Sequence, residues 1–473
     1  MRKIMQKQYK SFFAAIIAVL FFASTCMAAF TLEDERKVGK EFYDKLNENN
    51  FLIKDRQLND YITQIGNLVL TNNKKAPFNY TFSIVNSSAI NAFATPGGYI
   101  YLHKGLISAV DTEAELAGVI AHELGHANAR HIASIVDKST KLNIAALAAI
   151  IAAAFLGGGG EATAAIAAFS MAGAGSLTLK YQREHEEEAD RLGINYLSDA
   201  GYNPEASVGF LRLIKRHEFL SRSIPSYLRT HPGTDERIFY LEGLLLTQYT
   251  QSGKDNIIGN LKRMQALLPL SMAELNLRQR QLNSSLAKEP NDVDLLYALA
   301  ITEDRLGHSS FALKHLQKAL SLAPSDKDIL KQTGLIYLKM NNAEQAKIYL
   351  QKAANIDSDD DTIKLALGKT LFALENYSSA LSNFLAVKNA PADDVDINYH
   401  IAMSYGKLGN QGDSHYHFGL YFKNDKKTES ALFHFKEALN YFPQNSAKAD
   451  IINKEIKELS DPKAVAPPAK KNN

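Results

Sequence analysis

Residues 121–131 read AHELGHANARH, and the HELGH at residues 122–126 decides how the first half of the chain folds. On a helix, His122 and His126 are four residues apart and present both imidazoles on one face. Two such nitrogens can bind one Zn2+, and Glu123 beside them can reach a water at that ion. The surrounding ELAGVIAHELGHA is apolar, which predicts a buried helix rather than a polar surface edge. Burying two histidines without a partner is costly, so a metal is the economical reading.

A catalytic zinc site takes three protein ligands and leaves one position open. His131 is excluded as the third. It lies nine residues after His122, and at about 100° per residue a continuing helix turns it to the opposite side. It also falls one place short of the longer metzincin motif, whose glycine is replaced by Ala129. Cys26 is the only cysteine, so a thiolate ligand or nucleophile is excluded once a leader containing it is removed. A second helix, YQREHEEEADRLGINYL, offers nitrogen and oxygen instead. Ala189, Leu192, Gly193 and Tyr196 mark its inward stripe, bordered by His185, Glu186 and Asp190. Periodicity does not choose between His185 and Glu186.

The rest of the chain frames these two helices. MRKIMQKQYK is basic, SFFAAIIAVLFFA is apolar and STCMAAF is small, the three zones of a signal peptide spanning residues 1–28. Export to a periplasm is therefore expected. With 53 basic and 51 acidic residues, the bulk charge gives no footprint for nucleic acid. DRQLNDYITQIGNLVL has helical periodicity, while YTFSIVNS and GGYIYLHKGLI are β-rich, with TPGG between them as turn chemistry. The helix carrying HELGH is predicted through DTEAELAGVIAHELGHANARHI, with Asp111 or Thr112 as N-cap. Residues 142–175 carry one charge, Glu161, and two apolar halves split by Gly157–Gly160. Each half is too short to span a bilayer. A packed hairpin is expected there, with a flap or peripheral membrane contact as the alternative.

From Asp292 the pattern is helical only and repeats. Pro290, Pro324 and Ser358 are 34 residues apart, as are Gly334 and Gly368, then Ala312, Ala346 and Ala380, then Ala319 and Ala353. This period with small residues in fixed columns is the tetratricopeptide signature. INYHIAMSYGKLGN and ESALFHFKEALNYFP look like degenerate continuations with an insertion between them. Such repeats form a solenoid that binds extended peptide or a protein partner and performs no chemistry.

HELGH, then EEEAD, then THPGTDER together resemble the HtpX, CAAX prenyl protease and BepA family of zinc metallopeptidases, over about residues 30–245. A leader before this region and repeats after it resemble the periplasmic BepA-like subgroup. The resemblance implies Glu186 as third ligand, Asp190 supporting a zinc-binding histidine, and His231 and Arg237 at the site. It also implies that His231 fills the fourth zinc position at rest, or donates to the oxyanion once displaced.

The expectation is thus a mainly α, α+β chain: signal peptide 1–28, zincin-type metalloprotease domain with a small β-sheet 29–250, α-solenoid of tetratricopeptide repeats 251–457, disordered tail 458–473. One Zn2+ per chain is expected, with Glu123 as base and substrate lying along GGYIYLH as an edge strand. Unfolded or misassembled envelope proteins are the expected substrates, with outer-membrane assembly machinery as a partner on the solenoid. The alternative is a repeat chaperone or adaptor whose protease site is mostly latent.

Overall fold

The computed structural model describes residues 30–71, 76–137, 147, 151–152, 183–221, 224–249, 252–259, 261–388 and 396–460. The expected signal peptide, most of the apolar segment 142–175 and the tail beyond residue 460 lie outside the described residues. Two compact units divide the chain, Met1–Leu261 and Lys262–Asn473. No helix among the described residues is long and apolar enough to cross a membrane.

The first unit opens with α1 (Leu32–Glu48), started by a capping box in which Thr31 and Asp34 satisfy each other's backbone amides. Asp55 caps α2 (Arg56–Leu70). Among the described residues the sheet has three strands, β1 (Thr81–Val85), β2 (Ala92–Thr95) and β3 (Tyr99–His103), in the order β1-β3-β2. β1 runs parallel to β3 and β2 antiparallel to it. Gly97 and Gly98, at φ 85° and 90°, make the turn between β2 and β3. The GGYIYLH strand is therefore central and not an edge, because its backbone is spent on neighbours to both sides. The edge beside HELGH is β2, AFAT. The chain then turns helical at once in α3 (Lys104–Ala109), so KGLI is not strand.

Thr112 caps α4 (Glu113–Asn128), the HELGH helix, which is buried almost all round. It stops short of HI because Arg130 adopts the left-handed conformation, φ 56°, and α5 (His131–Asp137) begins afresh. α6 (Arg183–Asp199) packs against α4 at close range. A Cβ on Gly125 would stand 2.7 Å from the Ala189 carbonyl oxygen, and one on Gly193 would stand 3.0 Å from the His122 amide. Glycine at both crossings is what lets the second helix bring its acids onto the histidines. α7 (Ala206–Ser221), the short α8 (Ser226–Thr230) and α9 (Thr234–Thr247) follow. Of the apolar segment, Leu147, Ile151 and Ala152 are helical and buried in one cluster with Val38, Phe42 and Tyr101.

The unit extends beyond residue 250. Glu113, fully buried, accepts hydrogen bonds from the amides of Ile257, Ile258 and Gly259 at 2.8, 2.7 and 2.6 Å. The hydroxyls of Tyr61 and Tyr202 donate to the same carboxylate at 2.9 and 2.8 Å.

The second unit continues from α10 (Leu261–Leu267) through α11 (Met272–Lys288), α12 (Val293–Arg305), α13 (Ser309–Leu322), α14 (Lys327–Lys339), α15 (Ala343–Ile356), α16 (Asp361–Ala373), α17 (Tyr377–Leu385) and α18 (Ile397–Lys407). It ends with α19 (Gln411–Asn424), α20 (Thr428–Leu439) and α21 (Ala447–Ser460), the last running three residues past 457. Asp292, Asp326 and Asp360, 34 residues apart, cap α12, α14 and α16 in the same way. Left-handed residues recur at the same interval: Gly307, Asn341, Glu375 and Gly409. The next, Lys426, comes after half a period. The insertion is thus one helix, α19, which pairs with both α18 and α20. Ala312, Ala319, Ala346, Ala353 and Ala380 are fully buried, and a Cβ on Gly368 would fall 2.4 Å from the Phe384 ring. The helices of these repeats close on their small residues.

Candidate metal centre

α4 supplies His122, Glu123 and His126, α6 supplies Glu186 and Asp190, and the segment from α8 into α9 supplies His231 and Arg237. All seven are buried. One ligand atom each from His122, His126, Glu186 and His231 lie within 4.8 Å of one another. His122 Nε2 is 3.0 Å from His126 Nε2 and 3.5 Å from Glu186 Oε2, and His126 Nε2 is 3.4 Å from Glu186 Oε1. Ligand atoms held tetrahedrally at about 2.0–2.1 Å from zinc stand about 3.3 Å apart, so the two histidine nitrogens fit one such edge and each Glu186 oxygen stands about one edge from a different histidine.

The charges fit as well. Glu186 and Asp190 face Arg237 and His122, and a divalent cation at this point would replace the proton that the two carboxylates hold on His122. Burial drives the Glu186 carboxyl upward, but His231, Arg237 and His126 outweigh it and hold the group well below its ordinary range. Arg237 does the same for Asp190 against its burial. His122, pushed down by burial and Arg237, is carried up to about 9 by Asp190 and Glu186. His126 lies well below the usual histidine range, chiefly through burial, and so offers a neutral nitrogen.

Glu123 stands apart. Burial raises its carboxyl against the pull of His231 and His122. Among the described residues neither of its oxygens has a hydrogen-bond partner of good geometry; the Ala94 amide lies on its side and His231 Nε2 is 3.6 Å away. A buried carboxylate left in this state suits a group that handles a proton.

Behind the ligands, Asp190 Oδ1 lies 2.9 Å from His122 Nδ1. Arg237 clamps Asp190 through two bonds of 2.7 Å and reaches Glu186 Oε2 at 2.7 Å. His231 is the C-cap of α8, with its amide on the Tyr227 carbonyl and its ring stacked on Tyr227 at 4.2 Å. Its Nδ1 is 3.0 Å from Glu186 Oε1. α8 is tied to the chain two residues before β2, since Tyr227 N–H and Ser226 Oγ–H both donate to the Ile90 carbonyl.

His185 and Glu186 are both buried and part company. Glu186 faces the two histidines of HELGH, whereas His185 stacks on His131 at 4.4 Å. Among the described residues His131 is not one of the four clustered ligand groups, but the helical-wheel reason for setting it aside does not hold. The break at Arg130 brings its ring back, and its Nδ1 lies 2.8 Å from His126 Nδ1. No glycine or proline announces that break in ANAR, so the sequence carries no signal for the contact.

This fold and geometry define a metallopeptidase domain of the HExxH kind followed by a helical-repeat unit. Residues 55–245 match peptidase family M48 and residues 261–406 match the tetratricopeptide repeat. The chain thus joins a region similar to family M48 peptidases to a region similar to tetratricopeptide repeats. A Vibrio cholerae relative provisionally named beta-barrel assembly-enhancing protease is 36% identical over 216 residues, 45% of this chain and 44% of its own length. The beta-barrel assembly-enhancing protease of Escherichia coli K12 is 32% identical over 218 residues, with the same coverage. The mitochondrial metalloendopeptidase OMA1 of Arabidopsis thaliana is 30% identical over 185 residues, 38% of this chain and 36% of its own. The matched region spans less than half the length of each of these relatives.

Proposed function

We propose that this protein is an exported zinc endopeptidase that hydrolyses peptide bonds in unfolded or misassembled envelope proteins, outer-membrane proteins among them. The observation that carries this is the convergence of His122, His126 and Glu186 on one buried point with the carboxylate of Glu123 beside it. Zn2+, when bound there, supplies Lewis acidity and a nucleophilic water near neutral pH. Glu123 takes the proton of the attacking water and delivers it to the leaving amine, a role that its raised pKa favours. Asp190 orients His122, and Arg237 holds Asp190 and Glu186 in place.

The substrate strand belongs on β2. Asn91 bonds inward to β3, so by alternation Ala92 and Ala94 turn their backbone groups outward, toward the Glu123 side. His231 sits among the ligands and its helix is fastened beside β2, which supports a resting site closed to substrate. The repeats present clients or a partner from the outer-membrane assembly machinery, a reading that the names of the relatives support. A periplasmic location follows from the expected leader.

Glu123→Gln tests the chemistry. It should retain one zinc while cleavage of an unfolded outer-membrane protein falls about 10²–10⁴-fold. Undiminished cleavage would overturn the peptidase reading. Client rescue by the same variant would assign a separate chaperone role to the repeats.

A further inference from the structure

A second chain of hydrogen bonds leaves the metal centre through His126. His126 faces His122 and Glu186 through Nε2, so a metal takes the Nε2 lone pair and the proton resides on Nδ1. That Nδ1–H points at His131 Nδ1, 2.8 Å away, which must therefore accept. His131 then carries its own proton on Nε2, 3.2 Å from the carboxylate of Glu188. One assignment of protons satisfies every link.

The receiving ring is built into place. His131 is 2% exposed and stacked on His185 with an interplanar angle of 21°. Its delivery requires the left-handed Arg130, a conformation that residues other than glycine keep only where the surroundings hold it. The Arg130 guanidinium is held by the buried Glu35 carboxylate and by the Phe30 carbonyl.

We infer that His131 is a positioning residue for the metal, fixing the tautomer and ring orientation of His126 as Asp190 fixes those of His122. The inference rests on the metallopeptidase reading above. Its consequence is an unlike pair of supports: His122 leans on a carboxylate and His126 on a neutral imidazole.

The test is zinc affinity by chelator competition in the full chain, with melting of the metal-free proteins as the check on folding. His131→Phe keeps an aromatic ring on His185 but offers no acceptor, and His131→Leu is a second apolar variant should Phe disturb folding. His131→Asn places a carbonyl oxygen near the position of Nδ1. Zinc affinity should fall about 10- to 100-fold in the apolar variants and stay within about threefold of wild type in His131→Asn. Equal weakening in all three would assign the effect to packing and overturn the inference, as would wild-type affinity in the apolar variants. A wild-type protein that binds no zinc would instead overturn the metallopeptidase reading itself.

Discussion

The seven residues of the centre divide the work by what each touches, and two substitutions separate ligand from neighbour. His185 and Glu186 are adjacent and both buried, so helical periodicity treats them alike; only the crossing of α6 over α4 sends one to the metal side and the other to His131. Glu186→Gln should therefore cost more than about 100-fold in zinc affinity, above what loss of a supporting partner costs, whereas His185→Ala should leave one zinc bound. Zinc retained in the first and lost in the second would reverse the assignment. His231 poses a different question, because a fourth protein ligand occupies the position that hydrolysis needs open. Its ring is anchored by Tyr227 and lies 3.0 Å from Glu186, which is where the proposed closed resting site requires it. If the open form makes up about 10% or less of the molecules, His231→Ala should raise cleavage of an unfolded client about tenfold or more. Self-cleavage in the same preparation should rise with it. An opened site with weakened cleavage would show that the imidazole is needed on the oxyanion instead. HELGH was legible at this scale because its ligands are local in sequence. The reach of His131 was not, because it depends on one left-handed arginine.

At the scale of elements, the HELGH helix could be read from its cap, its apolar run and the four-residue spacing of its histidines, and the repeats from their 34-residue period. Two strands of the sheet, β1 and β3, could be read from composition, but its edge strand β2 and its strand order could not. AFAT is four residues long, and strand order is a non-local property that hydrophobic alternation does not encode. The resulting error has a consequence for substrate, because a central strand has no free backbone and an edge strand does. Ala94 lies on the edge strand with its amide turned toward Glu123, so Ala94→Pro removes an outward donor while sparing the ladder to β3. Zinc content should be unchanged and kcat/KM for an extended peptide should fall about tenfold, the value of one lost hydrogen bond of roughly 1.4 kcal/mol. Unaltered cleavage in the folded, zinc-loaded variant would remove β2 as the docking strand.

Two units in one chain raise the question of where the first can be cut without harm. The boundary expected at residue 250 separates Glu113 from its partners. That carboxylate is fully buried and takes three amide donors from residues 257–259, which hold its pKa down against burial. Truncation after Tyr249 leaves Tyr61 and Tyr202 as its donors and strands most of the charge in the interior. Loss of such partners costs about 3 kcal/mol, a large share of the 5–15 kcal/mol that holds a domain together. Truncation after Leu261 keeps the staple whole. The two fragments should therefore differ by several degrees or more in melting temperature, with the longer one the more stable. The longer fragment should bind one zinc and cleave a short peptide at a rate near that of the full chain, while its recognition of large unfolded clients falls, since the repeats bind and do no chemistry. Equal melting of the two would show that segment 252–259 contributes nothing to the first unit. Loss of short-peptide cleavage in a folded, zinc-loaded 1–261 fragment would place part of the active site in the repeats, and the division of labour between the units would have to be redrawn.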